Sequence, residues 1–128
     1  MILSHALIPT LKDTHPEELT TTVFAQECHS LFENEPNVSI EEIVGNELRD
    51  KGYGGIYNVG KGATHPPRLV IMTYDPTNAK ADDDEKGSIA LVGKGIVYDT
   101  GGLAIKSKTG MCGMKSDMGG AAGVRKSQ

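Results

Sequence analysis

Apolar residues at Leu19, Val23, Phe24, Cys28, Leu31 and Phe32 recur at the three- and four-residue steps of one helix face. Just before them, Thr14, His15, Pro16 and Glu17 have the spacing of a capping box with proline in the first turn, so the pattern predicts a helix from Thr14 to about Asn34. The stretch from Val38 to Ile43 alternates apolar and polar positions and predicts a short strand, although Ser39 and Glu42 also fit a capping box. Asn46 to Lys51 ahead of Gly52 predicts a short helix with a glycine stop. Two apolar runs, Arg68 to Tyr74 and Ser88 to Val92, are of the kind that make buried strands. Between them, Asp75-Pro76 to Lys86 combines turn residues with a run of charge and predicts a solvated, hairpin-like connection.

Composition narrows the function classes. A hydrophobic share of 38% with no tryptophan, two phenylalanines and 16 glycines is a thin supply for a stable core in 128 residues, and agrees with part of a larger domain. The net charge of −4 leaves no basic footprint, so direct binding to a nucleic-acid backbone is not expected. Cys28 and Cys112 have neither metal-type nor disulfide-framework spacing and predict reduced thiols, hence a cytoplasmic protein. The first residues lack a basic region and are interrupted by Pro9, which predicts neither a signal peptide nor a membrane span. His5, His15, His29 and His65 show no ligand spacing and are expected to be ordinary surface or turn residues.

The chemistry concentrates between Leu91 and Ala122. Lys94, Asp99, Lys106 and Asp117 are set among Gly93, Gly95, Gly101, Gly102, Gly119 and Gly120, which let backbone or substrate approach where a Cβ would intrude. Two carboxylates offer hard oxygen donors to Zn²⁺, Mn²⁺ or Mg²⁺ and are able to share or bridge divalent ions. An ammonium repels such ions. A lysine in the cluster therefore either gives up its proton and coordinates through nitrogen, or stays charged and faces the substrate, and two lysines allow both roles.

The run Gly93-Lys94-Gly95 to Asp99-Thr100-Gly101-Gly102, with Lys106 seven residues after Asp99 and Asp117 eleven beyond that, resembles the core of the cytosol (leucyl) aminopeptidases. Within that family it is most similar to the probable aminopeptidase-like branch. The segments around Val23-Phe24-Ala25, Gly52 to Gly60 and His65-Pro66-Pro67-Arg68-Leu69 resemble the start of the family's catalytic domain. The resemblance implies an α/β fold with a mixed β-sheet flanked by helices. It implies a dinuclear Zn²⁺ or Mn²⁺ peptidase that removes N-terminal residues from peptide substrates and assembles as a homo-hexamer. Lys94 would be a neutral amine ligand of the tighter ion, Asp99 the carboxylate bridging both, and Asp117 a second ligand of the tighter ion. Lys106 would stay protonated and polarise the scissile carbonyl, a task of electrostatic stabilisation. Met114 would line the pocket for the substrate's first side chain.

The family completes its site with a later Asn-Thr-Asp-Ala-Glu-Gly-Arg segment that this sequence does not contain. The expectation is a lead-in over residues 1–13, the N-terminal part of the catalytic domain over 14–124, and a polar tail at 125–128 that reads as a truncated product. Such a chain would hold at most one weakly bound ion, and a catalytically inactive remnant acting as an interaction module is the alternative. Nucleotide binding is disfavoured. Gly55 to Lys61 spells Gly-x-x-x-x-Gly-Lys, but Gly62 stands where a phosphate loop needs a hydroxyl for Mg²⁺.

Overall fold

The computed structural model describes residues 14–75 and 89–126. It packs as two units, one containing the described parts of residues 1–24 and 91–128, the other those of 25–90. Helix α1 (Thr21–Phe32) is followed by strand β1 (Val38–Val44), helices α2 (Asn46–Asp50) and α3 (Gly54–Gly60) and strand β2 (Arg68–Tyr74). Later come a single turn, α4 (Lys108–Met111), a 3₁₀ helix at Met114–Met118, and α5 (Gly119–Lys126). The fold is mixed α/β, as the sequence implies, and its described sheet is a small antiparallel pair.

Helix α1 forms on the predicted apolar stripe but starts seven residues later than Thr14. Residues 15–19 make a tight turn instead, with the amides of Glu18 and Leu19 both donating to the His15 carbonyl at 2.9 Å. The cap falls to Thr20, whose hydroxyl accepts the Val23 amide at 3.2 Å. His15 diverts the expected box, because its ring Nδ1 accepts the Glu17 amide at 3.2 Å.

In the unit spanning 25–90, β1 and β2 pair from Val38 opposite Tyr74 to Val44 opposite Arg68. The strand reading of Val38 to Ile43 therefore wins over the capping-box alternative, since β-branched Val38, Ile40, Ile43 and Val44 fit a half-buried pleat. The Gly45 amide closes the base of the ladder on the Pro67 carbonyl at 2.9 Å. Ala25 and Cys28 on one face of α1, Ile43 on β1 and Leu48 on α2 are almost fully buried and make this unit's core. Helix α2 ends at the predicted glycine stop: Gly52 has φ +88°. Helix α3 was not expected, since it carries glycine at three of seven positions. It is held by the Asn58 side chain donating to the Gly54 carbonyl at 2.8 Å, and by Tyr57, whose ring lies 5.7 Å from the Arg49 guanidinium and 6.0 Å from the Lys61 ammonium. The run that echoes a phosphate loop is thus helix through Gly60.

The strand predicted at Ser88 to Val92 is not found. Residues 89–96 carry no strand assignment, and among the described residues no third strand pairs with them. A strand needs a neighbour for its amides and carbonyls, and here Ile89 and Val92 are 89% and 93% exposed. Ser88 and most of the predicted 75–86 connection lie outside the described residues, as does His5. In the unit of residues 14–24 and 91–126, Leu19 and Met118 form a small core with Phe24 and Val97 packed against it. Val97 and Met118 of that core belong to the glycine-rich segment itself. Among the described residues no helix is long and apolar enough to cross a membrane.

Candidate metal centre

All five side chains singled out in the sequence lie in the unit that includes residues 91–126. The backbone brings them together in two pairs. Lys94 Nζ donates to Asp117 Oδ2 at 2.5 Å, and Lys106 Nζ donates to Asp99 Oδ2 at 2.6 Å. Lys94 is the most open of the four, with 65% of its side chain exposed, whereas Asp99, Lys106 and Asp117 are each about one-third exposed or less.

Asp99 is fixed by a turn on its own backbone. Its Oδ1 accepts the Gly101 amide at 2.9 Å, and the Lys106 amide returns to the Thr100 carbonyl at 2.9 Å, closing the loop that delivers the lysine. Gly101 sits at φ +89°, and a Cβ there would stand 2.5 Å from the Ala104 carbonyl oxygen, so only glycine suits this turn. The hydrogen bond from Lys106, then that from the Gly101 amide, hold the Asp99 carboxyl below its ordinary value. Burial opposes this lowering, and the charges of Lys106 and Lys94 add lesser contributions to it. Asp99 is presented as an ionised, oriented carboxylate, the form in which it would bind a cation.

Met114 touches the site directly. Its sulfur accepts from Lys106 Nζ at 3.1 Å, so it helps hold the ammonium, a role the sequence did not suggest. Tyr98 is a second residue that the sequence left out. Its hydroxyl donates to the Met111 carbonyl at 3.1 Å, tying the Asp99 segment to the turn that leads into Met114. The available signal was positional, since Tyr98 is the one aromatic residue inside the glycine-rich run. Ser107 caps α4 by accepting the Gly110 amide at 3.1 Å. A shallow, open depression in the same unit is lined by His15, Pro16, Glu17, Tyr98, Gly113 and Lys115 and does not include the paired charges. The histidine expectation holds among the described residues: His15, His29 and His65 are exposed, and His29 pairs with Glu42 at 2.8 Å in the other unit.

Residues 6–127 match the cytosol aminopeptidase family, catalytic domain. The chain belongs to that family. It is 48% identical over 112 residues to the probable aminopeptidase NPEPL1 of Mus musculus, covering 88% of this chain and 20% of that protein. The leucyl aminopeptidase of Leishmania major, solved in complex with actinonin, superposes with a TM-score of 0.86 at 48% identity, covering 96% of this chain and 22% of that one. The bottromycin maturation enzyme BotP, solved in complex with Mn, gives a TM-score of 0.78 at 32% identity over 97% of this chain and 25% of that one. The chain thus spans about a fifth of the length of the curated relatives it matches.

Lys94 and Asp117 meet as one amine and one hard carboxylate, and Asp99 offers a second carboxylate held by Lys106. Among the described residues no three of His, Cys, Asp and Glu come together. The residues present fit one divalent ion with open positions, and a second ion would have little beyond Asp99.

Proposed function

We propose that this chain is the N-terminal part, over residues 14–124, of the catalytic domain of a metal-dependent aminopeptidase that releases N-terminal residues from peptides. Lys94 and Asp117 are assigned to the tighter ion, Asp99 to both ions, Lys106 to the substrate carbonyl and Met114 to the pocket for the first side chain. The single observation that carries this reading is that four groups spread over 24 residues of sequence come together as two lysine–carboxylate pairs in one unit. A bound divalent ion in such a site supplies Lewis-acid polarisation of a carbonyl and a nucleophile drawn from water near neutral pH.

The chain's own residues divide the remaining work. Asp99 is held ionised and aimed by Lys106 and the Gly101 amide. Lys106 donates to the Asp99 carboxylate and to the Met114 sulfur, and it is assigned to the oxygen on which charge develops. Lys94 donates to Asp117 in the ion-free site and must surrender a proton to coordinate, so ion uptake is coupled to proton release. Zn²⁺ or Mn²⁺ is the expected metal. Manganese is favoured by the Mn carried by BotP. A cytoplasmic homo-hexamer is the proposed setting of the whole enzyme.

A second reading, an inactive remnant or interaction module, is favoured by the exposure of Val92, Leu103 and Ile105, apolar side chains with nothing over them. Calorimetric titration of the 128-residue chain with Zn²⁺ and Mn²⁺, beside a leucyl-peptide assay and size-exclusion chromatography, separates the two. At most one weakly bound ion per chain and negligible hydrolysis are expected. Two tight sites would refute the ligand assignment, and a chain that binds no ion and only self-associates would favour the remnant.

A further inference from the structure

Lys94 reaches Asp117 along a path that its side chain does not dictate. The Ile96 amide donates to the Asp117 carbonyl at 3.2 Å and the Ala121 amide donates to the Lys94 carbonyl at 2.9 Å, so the extended Lys94 segment lies against the first turn of α5. Nothing but glycine permits that approach. A Cβ on Gly120 would stand 2.7 Å from the Lys94 carbonyl oxygen and 3.0 Å from its amide nitrogen. A Cβ on Gly95 would stand 2.9 Å from the Ala121 Cβ and 3.2 Å from the Met118 sulfur, and one on Gly93 would overlap the Gly120 carbonyl. Gly119 and Gly123, on the same helix, face open space. Glycine is a poor helix former, so its presence at 120 calls for a reason, and the Lys94 backbone supplies one.

The ion pair itself is too weak to do this. Lys94 is largely exposed, and an exposed lysine–carboxylate pair contributes little while costing the freedom of a long side chain. We infer that Gly93, Gly95 and Gly120 are positioning residues: they interlock the Lys94 backbone with the start of α5, and this docking brings Lys94 Nζ to Asp117 Oδ2. The inference rests on the assignment of these two side chains to one ion, and gives that half of the site a preformed geometry before any ion arrives.

The test is a change of size and its reversal in the full 128-residue chain, read by nuclear magnetic resonance without metal. The Asp117 carboxylate ¹³C shift at neutral pH reports the pair, and Lys94→Met marks where that signal lies when the pair is absent. Gly95→Ala is expected to move the signal to the Lys94→Met position and to cut hydrogen-exchange protection of the Ala121 amide by about tenfold or more. Gly95→Ala combined with Ala121→Gly removes the opposing methyl and should restore both, and Gly123→Ala should change neither. Asp117→Asn should leave the Ala121 amide protected, because docking does not depend on the pair. An Asp117 signal unmoved in Gly95→Ala, or no recovery in the double variant, overturns the proposal. If Gly95→Ala alone fails to fold, recovery of fold and signal together in the double variant supports it, and failure of both overturns it. Titration of the same chains with Zn²⁺ then separates the two ideas: a wild-type chain that takes no Zn²⁺ sinks the ligand assignment, whereas the positioning role stands or falls on the metal-free spectra.

Discussion

Glu42 is the most informative position for testing how the unit of residues 25–90 is held. Its two carboxylate oxygens serve different elements: Oε2 accepts from Arg68 Nη1 at 2.6 Å, and Oε1 pairs with His29 Nε2 at 2.8 Å. In the ladder Glu42 faces Val70, so Arg68, two residues earlier on β2, is its diagonal neighbour on the same face, while His29 belongs to α1. One side chain thus ties the helix to both strands. The Glu42 and Arg68 side chains are only 22% and 19% exposed, which places the contact between a surface pair and a buried one. A charge-assisted hydrogen bond of this kind contributes roughly 1.5–3 kcal/mol, and the half-exposed His29 arm less than about 1 kcal/mol. Glu42→Gln keeps one acceptor but loses the charge, so a loss of about 1–2 kcal/mol at neutral pH is expected. Burial alone would raise the Glu42 carboxyl, but hydrogen bonds from Arg68 and His29, with their charges, outweigh it and hold the group below its ordinary value of 4.5. A depressed carboxyl stabilises the fold fully above the unfolded value and loses that contribution as pH falls through the folded one. The gap between wild type and Glu42→Gln should therefore be present at neutral pH and close progressively below 4.5. Urea unfolding across this range, with amide exchange of β1 and β2 as the local probe, measures it. A gap under about 0.5 kcal/mol at neutral pH, or one that persists unchanged into acid, would refute the reasoning.

Two further outcomes test the core and the chemistry. Leu48 is fully buried, so Leu48→Ala should cost about 2–5 kcal/mol in chemical denaturation, with the spread set by how far α2 collapses into the cavity. In a polypeptide carrying the whole catalytic domain, Lys106→Ala should lower kcat on the order of 10²–10³-fold while leaving metal content unchanged. Asp99→Ala should lose metal and turnover together, so a Lys106→Ala variant stripped of metal would reverse the roles given to these residues.

The elements that could be read in advance are those whose signal is local. Strand β2 lies where the apolar run from Arg68 to Tyr74 placed it, and α2 stops at Gly52, because side-chain period and backbone freedom act over a few residues. What escaped depends on distant partners. The apolar run after Ser88 has strand composition, but composition cannot supply the neighbour a strand requires, and residues 89–92 lie unpaired among the described residues. Helix α3 escaped for the opposite reason. Its three glycines argue against helix locally, while the Asn58 side chain bonding back to Gly54 and the Arg49 and Lys61 cations beside the Tyr57 ring support it through side-chain geometry that helix propensity does not register. Thr14 shows how a local signal is lost to a competitor, since the His15 ring takes the amide that a helix cap would have used.

In the glycine-rich run, the charged residues stand out in the sequence and their pairing does not. Spacing singled out Lys94, Asp99, Lys106 and Asp117, and turn chemistry between Asp99 and Gly101 makes the first carboxylate's orientation a short-range matter. Which lysine meets which carboxylate is decided over longer reach. Lys106 returns to Asp99 through a loop that needs Gly101 at positive φ. Lys94 crosses to Asp117, 23 residues on, where its backbone can lie against Gly120. The same glycines that mark the segment as unusual in the sequence therefore determine the pairing in space. That is why a run containing two lysines and two carboxylates yields two distinct environments: Lys106 part-buried beside a thioether and a fixed carboxylate, and Lys94 exposed at the end of a docked backbone against Asp117.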